Sequence, residues 1–167
     1  MVGCLTAGKP KYAAVEGDIL ALNQKAAALR ARLEGLVEAD AAAFAPLAKA
    51  YGIPKDDPDR PAVMARALEA AAAVPLEIME ACGEAIALLE EYEAKGSVLA
   101  VSDAGCGAVF CRAALEAAGL NVAVNTRLMA DRGRAAALDA RAEALRAEYL
   151  PRAEAVYAKV CHRLGGN

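Results

Sequence analysis

Residues 11–51, KYAAVEGDILALNQKAAALRARLEGLVEADAAAFAPLAKAY, decide the fold. Ile19, Leu22, Ala26, Leu29, Leu33, Leu36, Val37, Phe44 and Leu47 follow the three-and-four spacing of one helical face, which predicts a single long amphipathic helix from Lys11 to Tyr51. Gly17 and Gly35 weaken it without stopping it. One residue on that face is out of place. Asp40 stands four residues after Leu36, three after Val37 and four before Phe44. Either it rolls to the edge of the stripe, where water or an arginine serves it, or it sits desolvated among apolar neighbours. A carboxyl of the second kind is suited to give and take a proton near neutral pH. Periodicity alone leaves both open.

Downstream, residues 52–61 (GIPKDDPDRP) read as a loop in which Asp59 is placed to cap the next helix before Pro61 in its first turn. A second helical stretch runs from Pro61 to Lys95, where Val74-Pro75 should kink the rod or break it in two, and Gly96 ends it. Ser102-Asp103 has the form of an N-cap for a third helix through Ala118. Gly119 then punctuates the chain, and a short helix from Asn121 to Ala130 follows. The last helix, Arg132 to Leu164, is rich in Arg, Glu and Ala, so much of its surface should be solvated. The result is one all-α domain over residues 1–167, an up-and-down bundle of five or six helices with a long first and a long last member.

Composition agrees. The chain has 45 alanines against two phenylalanines and no tryptophan, which favours helices packed closely. Its net charge of −3 is spread through the sequence, so no basic footprint for nucleic acid is present. The N-terminus lacks the pattern of a signal peptide, and no later stretch reaches about 18 uncharged apolar residues. The expectation is a cytoplasmic protein with no membrane span. Cys4, Cys82, Cys106, Cys111 and Cys161 are odd in number and show no CxxC spacing, which argues against a disulfide framework and against a zinc site. His162, the only histidine, has no ligand-spaced companion. Gly105-Cys106-Gly107 follows no strand, so it is not read as a phosphate loop. No metal and no cofactor are expected.

Other polar residues have two readings each. Asp103 suits a helix cap but also a binding role. Asn121 and Asn125, four apart, project from one helical face and together offer donors and acceptors to a flat heteroaromatic ring, or else cap a helix and face water. Lys9, Lys11 and Tyr12 form a basic and aromatic cluster suited to a carboxylate-bearing ligand, or a plain solvated helix start.

These features fall in the order of a known set of motifs. Gly8-Lys9-Pro10-Lys11-Tyr12-Ala13 resembles a GKxKYA segment, and Glu38-Ala39-Asp40 through Phe44 resembles an acidic D-x-D-x-x-A-F helix. Ile53-Pro54-Lys55 matches a loop and Val74-Pro75-Leu76 a VPL turn. Gly96-Ser97 through Ser102-Asp103-Ala104-Gly105 resembles a GN…SDAG segment, and Leu120-Asn121-Val122-Ala123-Val124-Asn125 an LNVxxN segment. Over residues 1–131 the chain therefore resembles the formimidoyltetrahydrofolate cyclodeaminase family, which includes methenyltetrahydrofolate cyclohydrolases. It departs in three places. The PGGGS-like stretch and apolar helix that precede GKxKYA in the family are not in this sequence, Glu38 stands where Asp is frequent, and Cys4 stands where Asn is frequent.

The resemblance implies an all-helical homodimer that binds a reduced folate near the subunit interface and closes 5-formimidoyltetrahydrofolate to 5,10-methenyltetrahydrofolate with loss of ammonia. It places the catalytic acid at Asp40, makes Asp103, Asn121 and Asn125 candidates for orienting the pterin and the reacting nitrogens, sets Lys9 and Lys11 toward the glutamate tail, and counts Tyr12 among the substrate-binding residues. Two alternatives stay open at this point: methenyltetrahydrofolate cyclohydrolase, and a non-catalytic helical dimerisation module.

Overall fold

The structure, a computed structural model, describes residues 1–165. Five α-helices follow one another: α1 (Val2–Thr6), α2 (Glu16–Tyr51), α3 (Arg60–Lys95), α4 (Val101–Thr126) and α5 (Arg132–Gly165). Short 3₁₀ turns at Pro10–Val15 and Val98–Ala100 join them, and no strand occurs among the described residues. The four long helices alternate in direction. Lys95 at the end of α3 meets Asp18 at the start of α2 (2.9 Å), and Thr126 at the end of α4 donates to Asp139 early in α5 (2.6 Å).

α3 is the central rod, packed against α2, α4 and α5. Its buried Leu68, Ala72, Met79 and Ile86 meet Leu47 of α2, Leu115 and Val122 of α4, and Ala153 and Val156 of α5. Small residues let these helices approach. A Cβ on Gly83 would lie 2.6 Å from the Tyr149 ring of α5, so that ring rests directly on the α3 backbone. Gly8 makes the one turn that needs a left-handed conformation (φ 72°), and its N–H donates to both Glu16 carboxylate oxygens.

The long first and last helices are present as expected, but four local expectations are corrected. Lys11–Val15 belong to a 3₁₀ turn in which Tyr12 leaves helical geometry, so α2 begins only at Glu16. Asp59 sits at the N-cap of α3 without a side-chain cap bond, and Asp57 instead accepts from the Asp59 N–H (2.8 Å).

Third, α3 continues through Pro75. The ring removes the N–H that would have bonded the Ala71 carbonyl, and the Asn125 side chain of α4 donates to that same carbonyl (3.0 Å). A break is thereby avoided at the cost of recruiting one amide.

Fourth, α4 runs unbroken from Val101 to Thr126. Ser102 and Asp103 lie inside its first turn rather than capping it, and Ser97 instead accepts from Leu99 N–H at the preceding 3₁₀ turn. Gly119 is held by packing close to Met79. By length and composition the Val98–Thr126 stretch is apolar enough to cross a bilayer, yet it carries Arg112 and Glu116 and packs against α3 and α5.

Candidate functional site

α2 and α4 both pack on α3 rather than on one another. They leave a groove between them with α3 as its floor. At one end a cavity of about 380 Å³ is lined by Val2, Cys4, Asn23, Arg30, Tyr92 and Asp103. Further along, a cleft of about 490 Å³ is lined by Leu36, Val37, Asp40, Ile78, Cys82, Phe110 and Cys111. Both volumes fall in the range of small-molecule sites.

Asp40 reaches the cleft because α2 buries Ile19, Leu22, Leu29, Leu36, Leu47 and Ala50, and Asp40 continues that stripe one turn after Leu36. Val37 and Phe44 do not share it. They are 71% and 54% exposed, so the helix is rotated slightly from the face inferred from sequence, and Asp40 lies half-buried at the rim. Among the described residues, Asp40 and Asp103 are the two side-chain carboxylates that are half-buried yet have neither a hydrogen bond nor an ion pair. The other acids without such a partner are on the surface. A carboxylate removed in part from water and left without a partner is costly unless something else arrives to meet it.

The remaining candidates are distributed along the bundle. Asp103 lies in the first turn of α4, where the helix dipole favours its charge. Asn121, eighteen residues on, shares its helical face. Asn121 is exposed, while the Asn125 amide nitrogen is already committed to the Ala71 and Asn121 carbonyls (3.0 and 2.9 Å). Only the Asn125 side-chain oxygen remains for a ligand. Lys9 and Lys11 stay exposed on the 3₁₀ turn, with Lys11 Nζ 5.6 Å from the centre of the Tyr12 ring. The Tyr12 hydroxyl accepts from Val98 N–H (3.4 Å), and the Ser97 side chain beside it holds the phenol below its ordinary pKa. Within this chain the structure thus sets Asp103 and Asp40 along one groove, but it does not gather all seven residues around a single point.

Sequence reading missed Phe110 of α4 and the Asn23–Tyr92 pair. Tyr92 donates to Asn23 Oδ1 (2.8 Å) in the wall of the cavity that holds Asp103. Phe110 faces the Asp40 cleft, and its signal was available: it stands seven residues after Asp103 and eleven before Asn121, two and three helical turns on one face. The cleft also holds two thiols. Burial pushes Cys82 up to about 11 and raises Cys111 as well, so neither is a nucleophile near neutral pH. No group of three or more His, Cys, Asp or Glu side chains able to hold a metal occurs among the described residues.

An all-helical bundle with an open central groove, in a chain with the ordered motifs above, is the architecture expected of the cyclodeaminase family. The chain belongs to the formiminotransferase-cyclodeaminase family, whose model matches residues 1–144. It is 39% identical over 136 residues to a methenyltetrahydrofolate cyclohydrolase of Methylorubrum extorquens, covering 79% of this chain and 65% of that protein. It is 31% identical over 135 residues to the formimidoyltransferase-cyclodeaminase of Sus scrofa, covering 78% of this chain and 25% of the mammalian protein. The chain therefore spans just under two thirds of the bacterial relative and a quarter of the mammalian one. Among solved structures, a formiminotetrahydrofolate cyclodeaminase from Thermotoga maritima superposes with a TM-score of 0.80 at 25% identity, over 99% of this chain and 79% of that one.

Proposed function

We propose that this chain acts on the one-carbon unit carried between N5 and N10 of tetrahydrofolate, closing 5-formimidoyltetrahydrofolate to 5,10-methenyltetrahydrofolate with release of ammonia. The observation that carries this reading is Asp40, a half-buried carboxylate without a protein partner at the edge of an otherwise apolar cleft. In the reaction N10 attacks the formimidoyl carbon, and the former imine nitrogen must be protonated before it leaves. A single carboxyl can take the N10 proton and deliver it to the departing nitrogen, and general acid–base help of this kind is worth about 10²- to 10⁴-fold in rate. Asp103 and Asn121, on the groove-facing side of α4, would meet polar edges of the substrate. Lys9, Lys11 and Tyr12 would meet its glutamate tail, and Asn125 would contribute only its side-chain oxygen. The chemistry asks for neither metal nor nucleotide.

A second reading, hydrolysis of 5,10-methenyltetrahydrofolate, is favoured by the 39% identity to a protein named for that activity. There Asp40 would take a proton from the attacking water. Pure protein supplied with each substrate in turn separates the two, through appearance or loss of the methenyl chromophore. In either case Asp40→Asn should lower the rate by about 10²-fold or more and shift stability by less than about 0.5 kcal/mol, since no protein partner is lost. Turnover at the wild-type rate would remove Asp40 from the mechanism. Absence of saturable binding of a reduced folate in calorimetry would leave a non-catalytic module instead.

The working unit is proposed to be a cytoplasmic homodimer. Leu120, Val124 and Leu128 are exposed along the C-terminal half of α4 and the turn after it, an apolar strip of the kind a second copy covers. Sedimentation at micromolar concentration should give twice the chain mass, and replacing Leu120 and Val124 by Glu should halve it; a monomeric wild-type chain would end this part of the reading.

A further inference from the structure

Phe110 projects from α4 with 74% of its surface exposed, and Val37 projects from α2 with 71% exposed. Both line the cleft that holds Asp40. The chain contains two phenylalanines, five tyrosines and no tryptophan; both phenylalanines are exposed, and Phe110 is the one that lines this cleft. Leaving such a side chain exposed forgoes the stabilisation that burial would bring. Beneath Phe110 and Val37 the cleft is apolar, formed in part by Leu33, Leu36 and Ile78, and Asp40 is the only charged side chain that lines it. Apolar walls on two sides with one carboxylate between them fit a flat heteroaromatic ring that carries N–H groups on its edge.

We propose that Phe110 and Val37 are the walls of a ring-binding slot, in which Phe110 stacks on the flat ring of the substrate and thereby sets the one-carbon unit beside Asp40. This rests on the reduced-folate reading above and adds to it the aromatic contact that holds the ring. Phe110 lies on the same face of α4 as Asp103 and Asn121 and falls between them. It is thus placed to hold the ring while the polar groups on either side meet the edges of the ligand.

The absence of tryptophan from the natural sequence supplies the test. Phe110→Trp creates a chain with a single tryptophan at the slot, and Tyr157→Trp creates one on α5, outside the groove. Titration with 5-formyltetrahydrofolate, a stable reduced folate, should quench the first saturably, while the second shows only the linear loss due to absorption by the ligand. Measured by calorimetry on proteins of unchanged helical content, Phe110→Ala and Phe110→Leu should each weaken binding about tenfold, whereas Phe110→Tyr should stay within about twofold. With a turned-over substrate, KM should rise and kcat should fall in the Ala and Leu variants, because a ring no longer held leaves the one-carbon unit out of register with Asp40.

The proposal fails if the wild-type chain binds the folate but Phe110→Trp is not quenched. It fails equally if Phe110→Leu binds as tightly as wild type, since apolar bulk rather than a ring would then suffice. If the wild-type chain shows no saturable binding, the reduced-folate reading itself falls and takes the slot with it. Asp40→Asn in the Phe110→Trp background distinguishes the roles further, because quenching should persist when turnover is lost.

Discussion

The two flanks of α3 are built on opposite plans. Toward α5, glutamates of α3 meet arginines of α5 at four levels: Glu69 with Arg134, Glu80 with Arg141, Glu90 with Arg152 and Glu93 with Arg163, at 2.6–2.9 Å. Between the second and third levels Tyr149 lies on the bare backbone of Gly83. Toward α2 some pairing remains, Arg32 with Glu77 and Glu84 and Asp18 with Lys95, but α2 and α4 diverge from each other, and Asp40 and Asp103 face the resulting groove with no protein partner. Bases are not scarce, since the chain holds 19 against 22 acids. Pairing is therefore available wherever the fold places it, and a half-buried carboxylate left without it is what singles out this groove for the function proposed above. The ladder flank is paired level by level, and the open groove is where chemistry is expected.

That division can be broken from the ladder side. The largest effect is expected at Glu93, whose side chain is 3% exposed and which binds Arg163 at 2.9 Å while its main-chain carbonyl accepts a second bond from the same guanidinium. Glu93→Ala should cost about 2–3 kcal/mol, because a buried charged hydrogen bond is lost and Arg163 keeps only partial access to water. Thermal or urea unfolding measures it, and a loss under about 0.5 kcal/mol, the range of ordinary surface changes, would show that this rung does not hold the seam.

Next comes Asn125→Leu, which should cost about 1–2 kcal/mol by stranding the buried Ala71 carbonyl. In a Pro75→Ala background a backbone N–H returns to that carbonyl, so the cost of Asn125→Leu should shrink; equal costs in both backgrounds would refute the link between the two residues.

The smallest effect sharpens the contrast through pH. The hydrogen bond from Arg152 holds the Glu90 carboxyl below the ordinary carboxylate range. A group with a lowered folded-state pKa contributes stability above its unfolded value and loses that contribution as the pH falls through the folded one. Wild type should thus exceed Glu90→Gln by about 0.5 kcal/mol at neutral pH, after allowance for solvent screening. The advantage should fade as the pH drops below about 4. A difference independent of pH would mean that packing, not charge, is what Glu90 supplies.

Much of the fold was legible in the sequence because long apolar periodicities fix helices. The stripe from Ile19 to Leu47 gave α2, and the loop read at 52–61 and the stop at Gly96 were signalled by proline, aspartate and glycine. What failed were breaks inferred from single residues. Gly119 and Pro75 both interrupt a helix when read locally, and both are carried through by tertiary partners, Met79 in one case and Asn125 in the other. Asp40 was visible as a polar residue in an apolar stripe, but its position at a rim depends on the rotation that exposes Val37 and Phe44. Phe110 was passed over, because an apolar residue in an apolar helix reads as core, although its spacing from Asp103 and Asn121 places it on their face. Only the divergence of α2 from α4 leaves it in water.

The pairing of Pro75 with Asn125 has a consequence for descent. The proline alone would leave a carbonyl unmet inside the bundle, and the asparagine alone would share that carbonyl with its ordinary helical donor. The two positions, fifty residues apart on different helices, are thus coupled in energy, and each is kept at least cost where the other is present.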